Sequence, residues 1–158
     1  MTAAERLQLL CFQLGSRVFA LDIMGIREIL RNQKFTPVPR TPSHIAGVVN
    51  LRGQLIPVVH LRRILLPGDG ETLPEDPKLI VVKARGKTAG LLVDQVLDVI
   101  PVPVEALAPV PGTVRGDRSV VMAAFRRAGG DDSEVVVLVR LAPLVDQECE
   151  FGERGERA

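Results

Sequence analysis

His44 and His60 are the only histidines in the chain, and Cys11 and Cys149 the only cysteines. A zinc-type centre needs such ligands at short fixed spacings, as in CxxC pairs. Neither histidine stands at ligand spacing from a cysteine or an acid, and the cysteines lie far apart. Cys11 reads as a small buried hydrophobe and Cys149 as an exposed thiol in the tail. The strings of nucleophilic and phosphoryl-transfer chemistry are missing too: no GxSxG, Walker A or GxGxxG occurs. Asp22, Asp94 and Asp98 would make a receiver-like acidic pocket if they converged. They fall at strand-to-helix positions in both halves of the chain, where capping is the better reading. The residues point to no enzyme, no metal and no cofactor.

Recognition is the chemistry that remains. The formal charge is +1, so the chain lacks the basic excess of a polyanion binder. Five phenylalanines, with no tryptophan or tyrosine, leave little to stack on bases. A small β-barrel binding nucleic acid or a small ligand is therefore the weaker alternative. No apolar run approaches the ~18 residues of a membrane span, so no direct membrane insertion is expected. The N-terminus has no basic n-region or cleavage-like site, and the cysteine usage suits a cytoplasmic protein.

Short Val, Ile and Leu runs punctuated by Gly and Pro make the pattern mainly β. Strands are expected over Leu7 to Leu14 and Val18 to Leu21, joined by a turn at Gly15-Ser16-Arg17. Asp22 is placed to cap a short helix over Ile23 to Leu30, with Ile23, Ile26, Ile29 and Leu30 on one face. Prolines 37, 39 and 42 hold Phe35 to Val38 extended. Ile45 to Leu51 and Gln54 to Val59 read as a hairpin about Arg52-Gly53, followed by a helical turn over Leu61 to Leu66. Pro67 to Pro77 reads as a connector. Lys78 to Ala84 and Thr88 to Val93 form another hairpin about Arg85-Gly86-Lys87. Asp94 to Ile100 follows. Pro101 to Asp117 reads as irregular, with a turn at Val104 to Leu107. Ser119 to Phe125 and Glu134 to Arg140 are the last strands, Leu141 to Val145 the last helical turn, and the tail from Asp146 has little to bury.

The chain repeats itself. Leu10 to Leu14 lines up with Leu79 to Lys83 and, after one inserted residue, Gly15 to Leu30 with Arg85 to Ile100. Glu28 then matches Asp98, and Ile29 matches Val99. Pro57 to Leu61 matches Val137 to Leu141. Each half reads as hairpin, linker helix, hairpin, helical turn. Features common to both halves should build the fold, and features of one half are the better functional candidates. The clearest asymmetry is Gly47 to Gly53, opposite Met122 to Ala128.

Ile45 to Arg62, IAGVVNLRGQLIPVVHLR, resembles the signature of the CheW family of chemotaxis coupling proteins. FQLGSRVFALDIMGIREIL (Phe12 to Leu30), TPVPRTP (Thr36 to Pro42) and GLLVDQVLDV (Gly90 to Val99) match further motifs of that family in order. The resemblance covers roughly Leu7 to Val145. It implies two pseudo-repeated five-stranded SH3-like β-barrels with short helices around a shared core. They form a single 1–158 domain, with subdomains at about 15–85 and 86–145, the second also taking part of the N-terminal strand region. It implies a non-enzymatic adaptor of a bacterial two-component system. The adaptor is recruited to receptor arrays, where it joins the cytoplasmic tips of chemoreceptors to the regulatory domain of a CheA-type histidine kinase.

The resemblance also assigns residues. Gly53 should take φ > 0 and leave the backbone from Asn50 to Gly53 open to a partner. Leu51 is an apolar anchor beside the charge of Arg52. Arg52 should reach back to Glu28; were that pair buried, losing one partner would cost roughly 3–5 kcal/mol. Ile26, Ile29 and Val48 should line an apolar groove between the barrels, with Gly47 in the same hairpin. Val38, Pro39, Pro57 and Val58 should offer extended edges to a second barrel. His60, Ala123 and Arg140 depart from the family pattern. They bring the hydrogen bonding at both barrel exits into question, and with it the variant of a paralogue that binds receptor but not a classic kinase.

Overall fold

The computed structural model describes residues 5–31, 34–37, 44–66, 75–112, 119–127 and 134–145. The strands within them are β1 (Arg6–Leu14), β2 (Arg17–Asp22), β3 (Ile26–Arg31), β4 (Ile45–Leu51), β5 (Gln54–His60), β6 (Lys78–Ala84), β7 (Lys87–Val93), β8 (Gln95–Pro103), β9 (Val121–Arg126) and β10 (Val135–Val139). A short helix, α1 (Leu61–Leu65), follows β5, and a similar helical turn over 142–145 follows β10. Val38, Pro39, Cys149, the tail and most of the Pro67 to Pro77 connector lie outside the described residues.

The strands form two five-stranded sheets, ordered β8-β1-β2-β10-β9 and β3-β6-β7-β5-β4. Replacing each of β1–β5 by its counterpart among β6–β10, and the reverse, turns one order into the other. The duplication is therefore real, and it is interlocked. The first hairpin of each half pairs with the remaining strands of the other half. The sheets consequently divide the chain as 26–93 against the rest, and β2 and β7 lie on the opposite sides from those given by boundaries at 15–85 and 86–145. The registers are equivalent as well. Leu9 pairs Asp22 as Leu79 pairs Leu92, and Leu14 pairs Arg17 as Ala84 pairs Lys87. The halves thus align from Leu9 with Leu79 to Leu30 with Ile100 at one constant offset, without the inserted residue. Gly47 faces Val58 as Ala123 faces Leu138, so Ala123, not Met122, is the counterpart of Gly47.

Alternation explains why the sequence reads as near-continuous apolar runs. Leu9 and Cys11 on β1 face the interior of their own sheet, with Phe125, Val136 and Leu138. Leu10, Phe12 and Leu14 face the other way, into a core shared with Ile80, Val82, Leu91, Leu61 and Leu65. On β6, Leu79 and Val81 belong to the second sheet's interior with Val49, Ile56 and Val58. Successive residues on a strand point to opposite faces, and here both faces are buried. Cys11 is fully buried. Burial pushes its thiol up to about 11, partly offset by Arg127. In a Cys149→Ser variant, Cys11 is expected to stay unreactive toward a disulfide reagent at pH 8 and to react only in denaturant. Fast native-state labelling would contradict that burial.

The two linker helices are not formed. Asp22 does cap a turn, accepting from the Met24 N–H at 2.9 Å, but that 3-10 turn ends at Gly25. Ile26–Arg31 is a strand paired with β6, and the matching stretch after Asp94 is β8, which runs on to Pro103 through the region read as irregular. The pattern Ile26-Arg27-Glu28-Ile29-Leu30-Arg31 satisfies period 2 as well as a short helical period. β-branched residues and an available sheet edge decide it. Asp94 and Asp98 therefore cap no helix. Asp94 accepts from the Gly15 N–H at 2.7 Å and binds Arg62, and Asp98 binds Arg127 at 3.1 Å.

Candidate functional site

β4 and β5 turn about Arg52 and Gly53, whose φ values of 52° and 81° are both left-handed. Two such residues make the turn type whose twist suits a two-residue hairpin. The side-chain carbonyl of Asn50 accepts from the Gly53 N–H at 3.0 Å and locks the turn. No atom lies within 4 Å of where a Gly53 side chain would begin, so the tip is open as expected. Asn50 is turn structure, and half-buried Leu51 packs on the second sheet's interior. The exposed apolar side chain of the hairpin is Leu55, which the sequence reading passed over.

Arg52 does reach Glu28, through a two-pronged contact at 2.6 and 3.0 Å. β3 and β4 are the two edges of one sheet, so this pair closes the sheet into a barrel. Thr36 closes the same seam, giving and receiving backbone hydrogen bonds with Val48 at 2.8 and 2.9 Å. The other barrel repeats both devices: Arg127 binds Asp98, the counterpart of Glu28, and Ala108 bridges Ala124. By the rule that common features build the fold, Glu28 and Arg52 are a seam clasp. The pair is not buried, for the Arg52 side chain is 72% exposed, so the cost of breaking a buried pair does not apply. The Arg52 hydrogen bonds hold the Glu28 carboxyl below its ordinary value of 4.5. A lowered folded-state value means that the clasp supports folding above the unfolded-state value and loses that support as pH falls through the folded one. Glu28→Gln is therefore expected to melt slightly below the parent at pH 7 and together with it near pH 3. A melting gap unchanged between those pH values would show that the charge of Glu28 plays no part.

The remaining expected site residues separate on the strand. Ile26 and Ile29 would share a helical face, but on β3 they alternate: Ile26 packs on the shared core and Ile29 is exposed. Gly47 is buried, Val48 and Pro57 are half-buried opposite each other, and Val58 is fully buried, which removes Val58 from any docking surface. Val48 is not part of the lining of the cleft that Ile29 enters. The barrel exits are intact at the departures from the family pattern. The His60 N–H donates to the His44 carbonyl at 2.6 Å, and the Arg140 N–H donates to the Val120 carbonyl at 2.7 Å. Backbone groups make these bonds, so the substituted side chains leave them untouched.

Between the barrels, β3 and β8 flank a cleft of about 720 Å³. Ile29, Val96 and Leu97 give it an apolar strip. Arg31, Arg62, Lys78, Glu75, Asp76 and Asp94 surround that strip with both signs of charge. Val99, the counterpart of Ile29, is likewise exposed on β8. Val96 and Leu97 were missed because the stretch was read as the second linker, although the repeat already matched Ile26 with Val96. Among the described residues no group of His, Cys, Asp or Glu could hold a metal ion, and no helix is long and apolar enough to cross a membrane.

Fold and site together define a class: an interlocked double barrel with an inter-barrel cleft suited to docking. The family model described as the CheW-like domain matches residues 8–149. The chain is 31% identical over 118 residues to the chemotaxis protein CheW of Treponema pallidum, covering 71% of this chain and 68% of that protein. It is 27% identical over 144 residues to the CheW of Helicobacter pylori, covering 91% and 84%. The solved structure of the scaffolding protein TtCheW from Thermoanaerobacter tengcongensis matches with a TM-score of 0.74 at 29% identity, over 86% of this chain and 90% of that one. The chain belongs to the CheW family, whose members are chemotaxis scaffold proteins.

Proposed function

We propose that this protein is a non-enzymatic, cytoplasmic adaptor that couples chemoreceptors to a CheA-type histidine kinase. The observation that carries the reading is the β3–β8 cleft: an apolar strip with Ile29 exposed, framed by charges of both signs. An amphipathic helix docks by laying an apolar face into such a strip while its polar flanks meet the charged rim. A receptor's helical tip has that form. The kinase regulatory domain is assigned to the β4–β5 hairpin, where the open Arg52-Gly53 tip and exposed Leu55 present backbone and apolar surface.

The test is separate co-purification with a receptor signalling tip and with the kinase regulatory domain. Ile29→Glu is expected to weaken receptor-tip binding tenfold or more, about 1.4 kcal/mol, and to leave the kinase interaction in place. Leu55→Glu is expected to do the reverse. Binding to neither partner by the well-folded parent would refute the coupling role. Receptor binding without kinase binding would leave the variant of a specialised paralogue.

A further inference from the structure

A second groove, of about 510 Å³, lies against the exit of β10, lined by Met24, Met122, Leu138 and Leu141, with exposed Lys83 and Arg140 at its rim. We propose that it is a docking site for an acidic segment of a partner protein that carries one large apolar side chain. The duplication supplies the argument. Met24 stands at the repeat position of Asp94, and Ala142 at that of Arg62. In the other half Arg62 lies across this niche with its guanidinium on Asp94, and the two side chains are only 16% and 21% exposed. Here the plug is cut back to the methyl of Ala142, and Met24 stands 81% exposed. One repeat covers this position with its own ion pair, which forms part of the wall of the larger cleft, and the other leaves an apolar hollow there.

The charges select the occupant. Asp22, the acid lining the groove, caps the turn beside it by accepting from the Met24 N–H, and Lys83 and Arg140 leave the charged lining with a positive excess. Lys83 and Arg140 make no ion pair among the described residues. An occupant with an apolar group inside and carboxylates outside satisfies both walls and rim. Two methionines let the walls adapt, since the unbranched thioether repacks readily.

The full chain, labelled with 13C at its methionine methyls, provides the test. Met1, Met24 and Met122 are the three reporters. The probe is a short synthetic peptide with one phenylalanine flanked by glutamates. Saturable shifts of Met24 and Met122, with Met1 still, are expected. Lys83→Glu with Arg140→Glu should weaken binding about tenfold or more. Ala142→Arg, which restores the plug, should abolish it, and Met24→Glu provides a second block if that variant folds poorly. Equal binding of a control peptide with lysines for glutamates, undiminished binding by Ala142→Arg, or no shift at millimolar peptide would overturn the proposal. So would a chain lacking 146–158 whose Met24 and Met122 signals have moved, because its own tail would then be the occupant. None of these readouts involves receptor or kinase, so the result stands apart from the coupling role.

Discussion

Gly47→Ala is expected to destabilise the protein by roughly 3–5 kcal/mol, a large effect for one methyl group. A Cβ on Gly47 would lie 2.3 Å from the Thr36 carbonyl oxygen, 2.8 Å from its carbon and 2.9 Å from Phe35 Cδ2. Two of those atoms are backbone, so no rotamer change relieves the clash. Thr36 cannot retreat without giving up the two hydrogen bonds to Val48 that close the barrel seam. Each is worth about 1 kcal/mol, and forcing an extra carbon into a packed site adds about 1–3 kcal/mol. Urea denaturation monitored by far-UV circular dichroism measures the change. Ala123→Gly, at the equivalent seam position, calibrates it and should cost no more than about 1 kcal/mol. A Gly47→Ala variant within about 0.5 kcal/mol of the parent would mean that the Phe35–Thr36 crossing is not held as described.

That glycine shows where the sequence was legible and where it was not. Its segment stood out as the asymmetry between halves and was read as a docking element. Gly47 within it serves the crossing of Thr36 over β4, a close approach between segments that no local pattern encodes, while the crossing itself recurs in the other barrel as Ala108 on Ala124. Glu28 and Arg52 were paired correctly, yet their counterpart Asp98–Arg127 was not, because Arg127 falls just past β9 where repeat alignment is loose. The hairpins were legible since alternation and Gly turns are local signals. The linkers were misread because six residues fit two periods equally well, and only pairing with β6 and β1 decides between them. The exposure of Ile29 and Val99 follows from those pairings, so the apolar strip of the cleft could not be drawn before them.

The interlocking makes a stronger prediction than any point change. If the chain is divided into 1–70 and 71–158, neither fragment should fold alone, and mixing should restore the native structure. A first fragment keeps the β1–β2 hairpin without β8 and β10, and it keeps β3, β4 and β5 without the β6–β7 hairpin that joins β3 to β5. A lone hairpin is marginal in water, and β3 would have no strand neighbour. Leu10, Phe12 and Leu14 would also lose Ile80, Val82 and Leu91, their partners in the shared core. Joining the fragments covalently gives an effective concentration of order millimolar. At about 1 μM of each fragment the cut should therefore cost about 4 kcal/mol, and the melting midpoint should rise with concentration. Amide proton–nitrogen spectra decide the matter. Collapsed spectra for each fragment and a dispersed spectrum for the mixture are expected. Two fragments that are each dispersed and do not change on mixing would mean that each barrel is built from one half, and that the strand order described here is wrong.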